Sequence, residues 1–328
     1  MLFDKFQTMA DFQAELEERQ VRPFGAVTTE ILSSTEGIVE GRRVILAGTN
    51  NYMGLSYHPR CIKAAQEAAK RWGTGTTGSR LANGSFAEHQ ALEDEIADFY
   101  GVSNAIVFST GYAATMGMCA TLAGPGDVIL LDADSHASIY SGVKLSGAEI
   151  IRFKHSNPDD LAKRMRRLGD RAGQALIVAE GIYSMLGDVA PLQEIAEVKR
   201  EYGGYLLVDE AHSMGVLGES GRGAAQAAGI ESEVDFIVGT FSKSLGSIGG
   251  FCVSPHKELE AIRFCITSDI FTASSSPSII ASTREALRIL GEDPERREQL
   301  WDNASRLYQG LKSLGLAVGP TASPVVAV

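Results

Sequence analysis

From about residue 42 the chain alternates short apolar runs with longer amphipathic segments. "AIVFS" (105–109) predicts a buried strand, and "TGYAATMGMCATL" behind it predicts a helix. "DVILLD" (127–132), "ALIVAE" (175–180), "YLLVDE" (205–210) and "VDFIVGT" (234–240) predict further short strands. Between them, "AEHQALEDEIADFY" repeats Leu92, Ile96 and Phe99 at helical steps, and "PLQEIAEVKREY" repeats Leu192, Ile195, Val198 and Tyr202 behind Pro191. Apolar strands alternating with amphipathic helices predict an α/β fold whose mostly parallel sheet is covered on both faces.

The last stretch changes character. "EQLWDNASRLYQGLKSLGL" sets Leu300, Ala304, Leu307, Leu311 and Leu314 on one predicted helical face, after the polar "ILGEDPERRE". "AVGPTASPVVAV" then predicts the start of a strand with nothing to pair with. The expected organisation is an N-terminal segment (1–45), a large domain (46–289) and the opening of a smaller C-terminal α/β domain (290–328) that reads as truncated.

Composition narrows the functional classes. Thirty Lys and Arg against 41 Asp and Glu leave a net charge of −11, which argues against a nucleic-acid partner. Cys61, Cys119, Cys252 and Cys265 form no C-x-x-C pair and have no zinc-finger spacing to a histidine, so free thiols in a reducing cytoplasm are expected and no metal is. The charged N-terminus has no signal-peptide core, and no apolar run reaches membrane-spanning length. A cytoplasmic protein is expected, with peripheral membrane contact left open.

Four features converge on one chemistry. "LLVDEAH" puts Asp209 and His212 past the end of a strand, where parallel sheets bind ligands; the acid could balance a protonated ring nitrogen, or merely cap a turn. Lys243 follows the next strand and emerges at the same edge, where a desolvated amine can form a Schiff base; Thr240 and Ser242 beside it are hydroxyls of the kind that hold a phosphate. "FSTGYAAT" has the form strand, glycine, aromatic, helix, and a helix start at Gly111 offers N–H groups to an anion, although many such turns need glycine for steric reasons alone. "DADSHASIY" puts His136 at the same edge, placed to stack on a flat ring or simply to be satisfied by hydrogen bonds. His58, His89, His155 and His256 carry no evident chemistry. A lysine, an acid, a phosphate cradle and a flat stacking group together meet the requirements of pyridoxal 5′-phosphate (PLP).

The chain resembles the α-oxoamine synthases, fold-type I PLP enzymes with a class II aminotransferase-like fold. The marks are "NNYMGL", "GTGTTGSRLANGSFAEHQALE", "STGYAAT", "DADSHASIY", "EGIYSMLGDVAPL", "VDEAHSMGVLGESGRG", "GTFSKSLGSIGGF" and "FTASSSP", in that order. "GTFSKS" with "GGFCVS" leans toward bacterial serine-using members and away from the "GTL-x-KA" of glycine- and alanine-using relatives. The resemblance implies a seven-stranded, mostly parallel sheet with helices on both faces. It also implies condensation of L-serine with a long-chain acyl-CoA, with loss of CoA and CO2, to a 3-oxo-sphinganine-type product. Lys243 would bind the cofactor and move the Cα proton. Asp209 would pair with the pyridine nitrogen and His212 with the ring oxygen, while His136 would stack on the ring and help hold the substrate carboxylate. Gly111, Tyr112, Thr240 and Ser242 would hold the phosphate, joined by Thr272 from the other subunit of a homodimer with shared sites. Asn51 and Ser184 match positions near substrate and cofactor.

Two alternatives stay open on the residues alone. One is a relative that uses glycine, alanine or another acyl thioester, including a carrier-bound one. The other is a non-catalytic partner subunit that keeps the fold, against which the presence of Lys243, Asp209 and His136 counts. "GTGTTG" (73–78) follows a helical segment instead of a strand, so a nicotinamide-binding reading is set aside.

Overall fold

The computed structural model describes residues 1–21 and 26–328, and the chain divides into two compact units, Met1–Thr49 and Asn50–Val328. The first unit holds helix α1 (Gln7–Glu18) and an antiparallel sheet of β1 (Thr28–Ile31), β2 (Glu36–Val39) and β3 (Arg42–Ile45), in that order.

The second unit is built on a seven-stranded sheet. Helices α2 (Pro59–Trp72) and α3 (Ala87–Tyr100) precede β4 (Asn104–Phe108) and α4 (Gly111–Thr121). Then come β5 (Val128–Asp132), α5 (Ala137–Ser146), β6 (Glu149–Phe153), α6 (Pro158–Leu168), β7 (Leu176–Glu180) and α7 (Leu192–Tyr202). They are followed by β8 (Tyr205–Asp209), the one-turn helix α8 (Ala224–Ala227), β9 (Phe236–Thr240) and β10 (Gly250–Ser254). Short α9 (Leu259–Ile262) and α10 (Thr267–Ile270) lead into α11 (Pro277–Glu292) and α12 (Glu295–Ser313).

The strand order is β4-β10-β9-β8-β7-β5-β6, and every pairing is parallel except those of β10. The exception follows from chain length. Only the loop 241–249 joins β9 to β10, too short for a parallel crossover, so β10 returns antiparallel. Phe108, Asp132, Glu180, Asp209 and Thr240 therefore all end their strands at one edge, and Gly250 begins β10 there, paired with both Phe108 and Thr240.

Alternation along the strands makes two cores. Ile106, Phe108, Ile129, Leu131 and Val178 face one side with Met118 and Cys119 of α4. Ala105, Val107, Leu130, Ile177 and Val208 face the other with Leu92 and Ile96 of α3 and Leu192 and Ile195 of α7. Helices on both faces are what continuous apolar strands require.

Some expectations differ from the structure. The α3 stripe closes on buried Ala97 and Tyr100, with Phe99 only partly buried. On α12 the buried positions are Ala304 and Tyr308, while Leu307, and Leu314 just past the helix end, are exposed. The face is turned because the Trp301 indole donates to Val216 O at 2.8 Å and the Tyr308 hydroxyl to Gly319 O at 3.0 Å. Residues 316–328 form no strand. All four cysteines are free, with Cys61, Cys119 and Cys252 buried and Cys265 exposed.

Candidate active site

At the shared strand edge lies a cavity of about 290 Å3, lined by residues from five separate stretches of chain. Gly111, Tyr112, His136, Asp209, His212, Thr240, Ser242 and Lys243 all line it, so eight of the residues singled out in the sequence meet in one place. Asn51, Ser184 and Thr272 do not line it. Asn51 instead donates its amide to Ser56 Oγ at 2.8 Å, in the turn against which the loop after Lys243 packs. That approach needs Gly246, at φ +58°, because a Cβ there would sit 2.4 Å from the Ser56 nitrogen.

The floor is helix α4. Thr110 caps it, its hydroxyl accepting from the Ala113 N–H at 3.0 Å. The Gly111 and Tyr112 N–H groups, at the first two positions of the helix, have no intrahelical acceptor and carry the positive end of the helix dipole. Thr240 Oγ1 lies 2.8 Å from Ser242 Oγ on the facing strand end. A Cβ on Gly111 would stand 2.5 Å from Thr240 Cβ, so only glycine lets these donors approach one point. This is an anion cradle of phosphate type.

One end of the cavity is acidic. Asp209 is 5% exposed; its Oδ2 accepts from the Thr115 hydroxyl and its Oδ1 from the Ala211 N–H, each at 2.9 Å. Its register partner across β7 and β8 is Glu180, which accepts the His136 N–H at 2.5 Å. Burial, reinforced by the charge of Asp209, pushes the Glu180 carboxyl up to about 8. For Lys243 burial is again the leading cause and lowers the amine from its usual range, against the opposing pull of Asp209 and Glu180. A lysine held this way more readily supplies a neutral nucleophilic amine.

Two histidines complete the walls. His212 is buried, and burial with the charges of Lys243 and His136 lowers its imidazole to about 3, so it is neutral at ordinary pH. Its Nδ1 lies 2.8 Å from the Tyr52 hydroxyl, 160 residues earlier in the chain. His136 is exposed at the start of α5, where its Nδ1 accepts the Ser138 N–H at 3.2 Å and lies 2.7 Å from Ser138 Oγ. Its ring meets that of Tyr112 edge-on, with centroids 6.5 Å apart.

Sequence reasoning missed Thr115, Glu180 and Tyr52. Glu180 carried a usable signal, a carboxylate ending a buried strand at the edge where Asp209 ends the next. Thr115 lies one helical turn beyond Gly111, which places it toward the strand ends. Tyr52 had no signal of its own.

The donor set fits PLP: an amine whose charged form burial disfavours, a buried carboxylate for a ring nitrogen, and a phosphate cradle that a single Cβ would fill. Comparison with known proteins agrees. The family model "Aminotransferase class I and II" matches residues 42–328. A serine palmitoyltransferase of Caulobacter vibrioides is 58% identical over 326 residues, covering 99% of this chain and 81% of that protein. One from Sphingomonas paucimobilis is 48% identical over 330 residues, covering 100% of this chain and 78% of that protein. A solved S. paucimobilis serine palmitoyltransferase with a bound PLP-myriocin aldimine superposes with a TM-score of 0.96 at 46% identity, over 100% of this chain and 86% of that one.

Proposed function

The chain belongs to the aminotransferase class I and II family, in its α-oxoamine synthase branch, and on that premise we propose that it joins L-serine to a long-chain acyl-CoA. The products are a 3-oxo-sphinganine-type ketone, CoA and CO2, and the cofactor is PLP. The observation that carries this reading is the partly buried Lys243 amine sharing one cavity with Asp209 and the open start of α4.

When bound, the cofactor's protonated ring supplies an electron sink for the pair left on the amino-acid Cα. The chain's residues do the rest. Lys243 would hold the cofactor through Nζ and, with its amine free, would take the proton from the substrate Cα. Asp209 keeps the ring nitrogen protonated, steadied by Thr115 and the Ala211 N–H. Neutral His212 offers a hydrogen bond to the ring oxygen. His136 would pack against the ring and help to orient the serine carboxylate. Gly111, Tyr112, Thr240 and Ser242 anchor the phosphate, and with it the register of the whole site.

In this proposal Asn51 belongs to the substrate side and Ser184 to the cofactor side. Thr272 belongs to a homodimer in which each subunit adds a phosphate contact to the other's site. The proposed setting is the cytoplasm; no helix among the described residues is long and apolar enough to cross a membrane.

The deciding experiment mixes serine, glycine and alanine with long- and short-chain acyl-CoAs and identifies the ketone products by mass spectrometry. The serine product of a long chain should dominate, and should vanish in Lys243→Ala. Preferential use of glycine or alanine would overturn the serine assignment while leaving the family chemistry intact.

A further inference from the structure

His155 drew no attention in the sequence, yet the fold places it between two loops that leave strand ends at the cavity, one through His136 and the other just beyond Glu180. One is the turn after β5, which runs from Asp132 to His136. The other is the loop after β7, closed on itself as a small hairpin by the Tyr183 N–H to Asp188 O bond at 2.9 Å and the Ile182–Val189 bridge. Ser184, Met185 and Leu186 form its tip, and Met185 is 79% exposed.

The His155 ring spans the gap. Its Nδ1 lies 2.8 Å from Asp132 Oδ1, and its Nε2 lies 2.8 Å from Asp188 Oδ2. A carboxylate only accepts hydrogen bonds, so a ring placed between two of them is arranged to donate from both nitrogens, the bonding pattern of an imidazolium. Asp132 is fully buried and is fixed further by the Ser156 and Asp134 N–H groups, at 2.8 and 2.9 Å. Asp134 approaches Nδ1 at 4.0 Å, and the Tyr183 ring meets the imidazole edge-on at 4.5 Å. Among the described residues, the charged side chains within 4.0 Å of the ring nitrogens, Asp132, Asp134 and Asp188, are all acids. Burial opposes the charge, but Asp132 and Asp188 outweigh it and raise His155 above its ordinary value. On the hairpin's other side contact is close and uncharged: a Cβ at Gly187 would meet Val325 O at 2.0 Å.

We propose that His155 is a positioning residue, a charged staple that holds the Ser184 hairpin against the His136 turn and so sets how the site closes on its amino-acid substrate. The last clause rests on the function proposed above; the staple itself does not. A raised histidine is fully effective below its unfolded value of about 6.5 and lost as pH rises through the higher folded one, so the hairpin should loosen on the alkaline side.

The test begins with the PLP-free protein. Imidazole 15N shifts from about pH 6 to about pH 9 should show one histidine protonated on both nitrogens at neutrality and losing its proton above the ordinary range. That signal should be absent in His155→Gln. Proteolysis at Met185–Leu186, normalised to an unstructured peptide, should be about 10-fold faster in both His155→Gln and Asp188→Asn, the scale of losing a charge-assisted hydrogen bond, and should lose its pH dependence. With PLP and substrates, KM for serine should rise about 5-fold in Asp188→Asn while kcat moves less than about 2-fold, as loss of uniform binding predicts. A neutral His155 at pH 7, or an equally protected tip in both variants, overturns the staple. Because the spectra and the proteolysis need no substrate, they decide it even if the serine reading fails. If His155→Gln does not fold, the milder Asp188→Asn carries the same comparison.

Discussion

Glu180 and Asp209 are register partners at the ends of adjacent parallel strands, and both are almost sealed from water, at 3% and 5% exposed. Register partners in a parallel sheet project from the same face, so both carboxyls enter one cavity. Their surroundings differ. Asp209 has two hydrogen-bond donors aimed at it, whereas Glu180 receives a single N–H and is pushed up to about 8 by burial and by its neighbour's charge. A pair of acids split in this way can hold one proton and one charge at neutral pH, so Asp209 can serve a cationic ring without a second negative charge beside it.

That split makes stability depend on pH. Glu180 binds its proton more tightly folded than unfolded, so its contribution is greatest at low pH and falls as pH rises from about 4.5, the unfolded value, toward about 8. Glu180→Gln can still accept the His136 N–H but has no proton to lose. Denaturant unfolding of the PLP-free protein should therefore show the variant gaining on wild type between about pH 5.5 and about pH 8, by at least about 1.4 kcal/mol, the equivalent of one pKa unit. An unchanged difference would mean that Glu180 is an ordinary carboxylate.

Thr115→Val tests how Asp209 is held. The valine fills nearly the same space but removes the hydroxyl bonded to Oδ2, leaving a buried carboxylate short of one donor. Hydrogen bonds to charged groups contribute about 1.5–3 kcal/mol, so the unfolding free energy should fall by that order, and PLP affinity by about 10-fold. A spectrophotometric PLP titration beside thermal unfolding measures both. Normal PLP affinity in a destabilised variant would confine Thr115 to packing.

The legible parts of this molecule are those that local sequence encodes. Five of the seven strands of the main sheet announced themselves as apolar runs. Parallel pairing puts their C-terminal ends at one edge, and so Asp209, Lys243, His136 and Gly111 could be brought together in advance. What stayed hidden depends on distant neighbours. Tyr52 reaches His212 across 160 residues, and His155 acquires its charge only because Asp132 and Asp188 fold onto it from two other loops. The α12 face was misjudged for the same reason, since the distant Val216 and Gly319 carbonyls decide which of its side chains turn inward. β10 was missed because "GFCVS" follows directly on a glycine-rich loop.

Tyr52 should fix the tautomer of His212. Burial raises the phenol well above its ordinary range, so Tyr52 keeps its proton and can donate to Nδ1, which leaves the His212 N–H on Nε2. In 15N spectra His212 should appear neutral down to about pH 4 with Nδ1 bare, given an imidazole lowered to about 3. Tyr52→Phe should release the ring to mix tautomers and reduce kcat by about 10-fold, within the range of a lost general acid–base or hydrogen-bonding group. A protonated Nδ1 in the unmodified protein would reverse the bond's direction and remove the argument.

The anion cradle rests on Gly111 having no side chain. In Gly111→Ala the new methyl would stand 2.5 Å from Thr240 Cβ and 2.6 Å from its Oγ1, so either Thr240 or the start of α4 has to move. The displaced groups are the phosphate donors themselves, while the cores on both faces of the sheet lie behind them and keep their packing. PLP affinity should therefore fall at least about 10-fold, as expected when N–H groups at a helix start no longer converge on an anion, with little change in the unfolding of the PLP-free protein. The pattern to look for is cofactor loss without loss of fold. Equal weakening of pyridoxal, which carries no phosphate, would show instead that the methyl intrudes on the ring, and the phosphate would have to be held elsewhere.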